Sequence, residues 1–104
     1  MSYTVTYQPR VVFIGIATDG TRDAARSSPG TTVTAAGAGQ YDLTFPPATS
    51  GLCLTQFVDG TTTGSNVSVI VEAPNFAAGT VSVQLNSGGN LAGGDTVHIV
   101  LFLF

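Results

Sequence analysis

The amino-acid sequence predicts an all-β domain, an antiparallel β-sandwich or jelly roll of about eight strands, from three observations. Apolar and polar residues alternate with a period of two in several short runs, which is typical of strands with one buried face. Turn sequences rich in Gly, Pro and Asp, such as TDGT, VDGT and PPATSG, separate these runs. The chain holds fifteen Thr and twelve Val but no Lys and no Trp, a composition that favours strands over helices.

The predicted strands are short and follow one another closely along the chain. At 104 residues the sequence has the size of one domain with one modest core, so we expect a single β-sandwich domain over residues 1–104. The strands are predicted near residues 2–8, 10–17, 31–35, 40–46, 52–58, 66–73, 79–86 and 95–104.

The predicted strands fall into two groups by the polarity of their faces. YTVTY (3–7), YDLTF (41–45) and TVSVQLN (80–86) are apolar on one face and polar on the other, which is typical of strands that face a core on one side only. RVVFIGIAT (10–18) and LCLTQFV (52–58) are apolar on both faces or nearly so. These two runs therefore predict either central strands or a surface buried between subunits.

The most apolar stretch is the final run DTVHIVLFLF, residues 95–104. We interpret it as a central strand with one face in the sandwich core and the other against either more core or a neighbouring subunit, of which the subunit is favoured. The core face is formed by Val97, Ile99, Leu101 and Leu103, and the predicted oligomer interface by His98, Val100, Phe102 and Phe104. The run is shorter than the roughly twenty residues of a membrane-spanning helix, so no membrane partner is expected.

The longest predicted connection is TDGTRDAARSSPG, residues 18–30. One helical turn between Thr21 and Arg26 would place Arg22 and Arg26 on the same side. Two interpretations remain open for this segment. It is either a solvated loop, or a partner-contact loop that uses Arg22, Asp23 and Arg26.

The charge content bears on the class of partner. Only nine residues are charged and the net charge is −3. Three arginines cannot form the basic surface that neutralises a phosphate backbone, so nucleic acid is not expected as a partner. Soluble monomers usually carry more surface charge, so we expect neighbouring protein to cover much of this surface.

The residues that carry catalytic or metal chemistry are scarce. His98 is the single histidine and is predicted on the interface face, without a nucleophile or an orienting group beside it in the sequence. Cys53 lies between two leucines and is interpreted as a small buried hydrophobe. Zinc sites need more Cys and His, a lysine-based phosphate loop is impossible without lysine, and Asp19 and Asp23 lack the other ligands of a calcium loop. No enzyme activity, metal or cofactor is therefore expected.

Two motifs of this sequence resemble trimeric jelly-roll heads. GQYDLTFP resembles a Gly-x-Tyr-x-aliphatic-x-Phe strand in mid-domain, and GGDTVHIVLFLF resembles a Gly-Asp turn that leads into a last apolar strand. Both features are found in tumour-necrosis-factor-like and complement-like heads and in small bacteriophage virion proteins. The chain is shorter than the extracellular heads and has no stalk sequence. The resemblance therefore implies a bacteriophage capsid or tail component, with other virion proteins or a host surface receptor as partners.

The leading hypothesis is a non-enzymatic structural protein of a bacteriophage particle, either a capsid decoration or cement protein or a fibre component. We expect it to be a homo-oligomer, with a trimer favoured, and to be located in the virion. The N-terminus MSYTVTYQPR lacks the basic start and apolar run of a secretory signal, so synthesis in the host cytoplasm is expected.

The alternative hypothesis is a carbohydrate-binding or receptor-binding adhesin, such as a tail-fibre tip or a lectin-like module. Its sugar platform would use aromatic rings, although strand alternation places Tyr3, Tyr7 and Tyr41 on core faces. A small hydrolase is the hypothesis that the sequence supports least, because general bases are so few.

Overall fold

The computed structural model describes residues 9–60 and 67–104, and it confirms the predicted all-β sandwich. The first predicted strand, residues 2–8, lies outside the described residues. Seven strands are formed in the described part: β1 (Arg10–Ile16), β2 (Thr32–Gly37), β3 (Gln40–Thr44), β4 (Gly51–Val58), β5 (Val69–Asn75), β6 (Thr80–Leu85) and β7 (Thr96–Leu103).

The strands form two antiparallel sheets. Sheet A has the order β1-β7-β4, and sheet B has the order β2-β3-β6-β5. The chain passes from one sheet to the other after β1, β3, β4 and β6, as the connections of a jelly roll do. The final run is therefore the central strand of sheet A, as the sequence predicted. The two predicted runs that are apolar on both faces, RVVFIGIAT and LCLTQFV, form β1 and β4, which lie on either side of β7 in sheet A.

The core lies between the two sheets and follows the alternation of the strands. On β7, Val97, Ile99 and Leu101 are at most 1% exposed, and Leu103 is buried beside them. The inward residues of the other strands fill the rest of the core. They are Val12, Ile14 and Ile16 of β1, Tyr41 and Leu43 of β3, and Val81, Val83 and Leu85 of β6, with Phe45 and Leu91 from the adjoining segments.

The connection between β1 and β2 is ordered by backbone and side-chain contacts with β1. Within the described residues its helical part is one 3-10 turn, Ala24–Arg26, which is capped by the Asp23 carboxylate accepting from the Ala25 N–H at 3.1 Å. Gly15 of β1 permits the turn to approach, because a Cβ there would lie 3.2 Å from the Cβ atoms of Asp23 and Arg26. The predicted turn over residues 21–26 is thus shorter and tighter than an α-helical turn.

No helix in the described ranges, 9–60 and 67–104, has the length and apolarity to cross a membrane.

Candidate functional site: an apolar sheet face and its groove

The outer face of sheet A is apolar over most of its length. On the edge strands, Phe13 is 50% exposed, Leu52 58% and Leu54 56%. We define the apolar face as the large apolar residues among the outward residues of this sheet, together with the residue that follows β7. Its members are Val11, Phe13, Leu52, Leu54, Val58, Val100, Phe102 and Phe104.

The register of the sheet places these side chains in rows across three strands. Phe102 of β7 lies between Val11 of β1 and Leu52 of β4. In the next row Val100 lies between Phe13 and Leu54. Residues directly opposite one another on the same face of an antiparallel pair are about 4.5–5.5 Å apart, so these rows form one continuous surface.

The apolar face is large for a single chain. Six of its members are between 37% and 58% exposed, which leaves on the order of several hundred Å² of apolar surface in solvent. Soluble monomers rarely expose a larger continuous apolar patch, and patches of this size are often functional. No member of the face carries a charge.

Sheet B has the opposite character on its outer face. Its cross-strand rows are polar apart from Ile70, and in one of them the Ser82 hydroxyl donates to Asp42 Oδ1 at 2.7 Å, with Glu72 beside Ser82. Hydroxyls of Thr32 and Thr44 are hydrogen-bonded in another row. The two outer faces of the sandwich therefore differ, because the face of sheet B is suited to water and the face of sheet A is not.

A groove opens where the apolar face ends near the 3-10 turn. It has a volume of about 490 Å³ and is lined by Phe13, Ala25, Arg26, Ser27, Ser28, Gln56, Val58 and His98. Gly15 lies next to His98 in the register and has no side chain, so the turn forms one wall and the β7–β4 pair forms the floor. The lining of the groove combines two large apolar side chains, Phe13 and Val58, with polar side chains.

The structure places the predicted interface residues together, and it adds neighbours to them. His98, Val100 and Phe102 are half-buried on the outer side of β7, and Phe104 is 46% exposed. His98 Nε2 lies 3.2 Å from the Thr96 hydroxyl. The interface role of these residues stays a prediction.

The three predicted contact-loop residues occupy different positions. Arg22 is directed into its own loop, where Nε donates to Thr31 Oγ1 at 3.1 Å and Nη2 donates to the Ser28 carbonyl at 2.9 Å. Arg26 is exposed and forms an ion pair with Asp23 at 3.0 Å. Arg22 thus has a structural role within the chain, whereas Arg26 lines the groove with His98. A partner contact by this loop stays a prediction.

Replacing Arg22 by Ala is expected to lower the free energy of unfolding by about 1–3 kcal/mol, because a half-buried pair of hydrogen bonds is lost. Arg26→Ala is the matched control and should cost at most about 1 kcal/mol, since its ion pair with Asp23 is exposed. Urea unfolding followed by circular dichroism measures both values. Equal losses in the two variants would contradict the structural role of Arg22.

Two residues that the sequence singled out lie away from the apolar face. Tyr41 is buried in the core, so it offers no platform to a ligand in solvent. Cys53 is half-buried on the inner side of β4, and burial raises the pKa of its thiol from 9.0 to about 11. The thiol is therefore protonated at neutral pH, in agreement with its interpretation as a small hydrophobe.

In the described ranges no group of three or more His, Cys, Asp or Glu side chains is arranged to hold a metal ion. Comparisons of the chain with protein-family models, with curated proteins and with solved structures gave no match.

The sequence predicted individual interface residues only on the β7 side of the apolar face, and it offered β1 and β4 as whole runs. The apolar residues on both faces of β1 and β4 indicated that these strands contribute a further apolar surface. They did not show that the two strands flank β7. The groove gave no sequence signal. His98 and Arg26 are 72 positions apart, and only the pairing of β1 with β7 brings them to one site.

Proposed function

We propose that this protein is a non-enzymatic structural protein that assembles with further copies of itself through the apolar face of sheet A. The observation that carries this proposal is the continuous row structure of that face, with Leu52 and Phe13 at least half exposed and no charged member. Water-exposed apolar surface of this extent is removed from solvent when a second protein packs on it.

The position of the apolar face in the fold supports an assembly role. Its central strand, β7, places alternate residues in the core and on the face, so the same strand stabilises the fold and presents the contact surface. A face built on a hydrogen-bonded sheet keeps its shape when it binds, which lowers the entropic cost of association.

The setting that we propose is a bacteriophage particle, as a capsid decoration or cement protein or as a fibre component. This setting depends on the resemblance of the GQYDLTFP and GGDTVHIVLFLF motifs to trimeric jelly-roll virion proteins. On this proposal the protein forms a homo-oligomer, with a trimer favoured, and contacts other virion proteins.

The native mass of the purified protein at micromolar concentration tests the proposal. Light scattering is expected to give an oligomer, because contacts of standard size persist at that concentration. A monomer with the chain mass of 10.6 kDa would contradict it.

The groove supports a second candidate function, a carbohydrate-binding adhesin. A sugar ring stacks on an exposed aromatic ring and is oriented by polar side chains, and the groove offers Phe13 together with Arg26, Gln56 and His98. This candidate differs from the first in its partner class, which would be a glycan of a host surface.

A glycan array with the wild-type protein and Gln56→Ala distinguishes the two candidates. Gln56 lies in the groove but outside the apolar face, so its loss is expected to abolish sugar binding while the oligomeric mass is unchanged. Absence of glycan binding by the wild-type protein would exclude the second candidate and leave the first in place.

A further inference from the structure

The outer edge of β4 is a second candidate contact surface. It consists of backbone N–H and C=O groups, whereas the apolar face consists of side chains. Among residues 9–60 and 67–104, β4 is paired only with β7, and its other side ends sheet A as far as these residues form it. Ser50 and Phe104 form a hydrogen-bonded pair, because each backbone N–H donates to the carbonyl of the other, at 3.3 and 2.9 Å. Every second residue of β4 after Ser50 therefore directs its backbone groups toward β7. Pairing alternates along an antiparallel ladder, so the residues Gly51, Cys53, Thr55 and Phe57 direct their N–H and C=O groups outward.

Within residues 9–60 and 67–104, these outward backbone groups have no hydrogen-bond partner. The strand runs for eight residues without a bulge, a proline or a charge. Natural proteins usually interrupt such an edge, because a long uncharged edge strand pairs with strands of other chains.

The other three edges of the sandwich are occupied or interrupted. On β1, Ser27 and Ser28 hydroxyls accept from the N–H groups of Gly15 and Phe13, each at 2.9 Å. On β5 the ladder shifts between Glu72 and Asn75, where Ala73 has φ +48° and a proline follows. On β2 a register shift lies between Ala35 and Gly37. Within the described part of the chain, the edge of β4 is therefore the one that is neither hydrogen-bonded to another segment nor interrupted by a register shift.

We propose that the free edge of β4 pairs with β4 of a second copy, antiparallel about a two-fold axis at Leu54. In this register Gly51 lies opposite Phe57 and Cys53 opposite Thr55, so every outward group meets a partner and about eight backbone hydrogen bonds form. A register displaced by two residues leaves some of these groups unpaired.

The side chains of β4 suit this self-pairing. The register places Leu54 against Leu54 of the second copy on the outer side, where this side chain is exposed. The strand has no charged residue, so no like charges meet across the axis. The two sheets A then become one six-stranded sheet whose apolar faces are continuous. Because the face and the edge are separate surfaces, one chain that uses both builds assemblies larger than either contact alone produces.

Cross-linking tests the register directly. In a Cys53→Ala background, Leu54→Cys is expected to form an intermolecular disulfide, because the two substituted positions face each other as a non-hydrogen-bonded pair with Cα atoms about 4.5 Å apart. Leu52→Cys is the matched control, since Leu52 lies opposite Gln56 in this register and is equally exposed. Equal cross-linking of the two variants, or none in either, would overturn the proposed pairing.

A second measurement separates the edge from the apolar face. In a Phe13→Asp background, in which the face contact is weakened, light scattering of dilute protein is expected to give a dimer of about 21 kDa, twice the chain mass. Adding Thr55→Pro removes one outward N–H without touching the β7 ladder, so we expect a folded monomer by circular dichroism. Thr55→Val keeps the N–H and should keep the dimer. A Phe13→Asp variant that is already monomeric would overturn the edge proposal and leave the face proposal in place.

Discussion

Replacing Phe13 by Asp is expected to weaken self-association by at least about 2 kcal/mol, roughly 30-fold in the dissociation constant. The ring lies on the outer side of β1 beside Val100, in the row of the apolar face next to the groove, and the substitution also places a charge on the proposed contact surface. Charges that are buried without a partner are strongly unfavourable, so the effect exceeds the loss of apolar contact alone. Light scattering over a dilution series measures the change.

Ile70→Asp is the matched control for this substitution. Ile70 is 49% exposed against 50% for Phe13, and it is directed outward from β5 on the opposite sheet. Because both substitutions exchange an equally exposed apolar side chain for the same carboxylate, a general effect of charge would appear in both. A loss of association in Ile70→Asp as large as in Phe13→Asp would exclude sheet A as the specific contact surface.

Leu101→Ala is expected to lower the free energy of unfolding by about 2–5 kcal/mol, because it opens a cavity in the centre of the core. Leu101 is fully buried, and the strand neighbours it pairs with in sheet A are Val12 and Cys53. Small domains have about 5–15 kcal/mol of total stability, so this one substitution removes a large share of it. Urea unfolding measures this change in the free energy of unfolding, at a protein concentration low enough that association does not contribute.

Phe102→Ala changes the next residue of the same strand, and it should affect association more than the free energy of unfolding. Phe102 is on the outer side of β7, between Val11 and Leu52, so its truncation leaves the core intact and reduces the contact area for a second copy. We expect weaker association with a much smaller loss of stability than Leu101→Ala. If Phe102→Ala destabilised the dilute protein as strongly as Leu101→Ala, the division of β7 into a core face and a contact face would be wrong.

The proposed contacts also account for the composition of the chain. Nine charged residues are few for a protein of 104 residues, and none of them lies in β4 or in the apolar face. Charge in either place would oppose packing of a second copy, because its desolvation is not compensated there. The scarcity of charge is thus expected of a chain that covers its surface with further copies.

Much of the fold was predictable from local pattern. The alternation in YDLTF and TVSVQLN identified Tyr41, Leu43, Val81 and Val83 as core residues, and each is buried. The bounds of the described strands were predicted to within a few residues, because the Gly, Pro and Asp turns that end them are local signals. The shorter 3-10 form of the turn at Ala24–Arg26 was not predictable, since it depends on contact with Gly15 of β1.

The sequence by itself determined which side chains share a face, because side chains alternate across a strand with a period of two wherever the strand lies. It therefore separated Leu101 from Phe102 and predicted two apolar faces for the last strand. Only the tertiary structure decided that β1 and β4 flank β7, that Arg26 and His98 line one groove, and that no other described strand pairs with the outer edge of β4. These features depend on hydrogen bonds between residues distant in the chain, and local periodicity carries no information about which strands those bonds join.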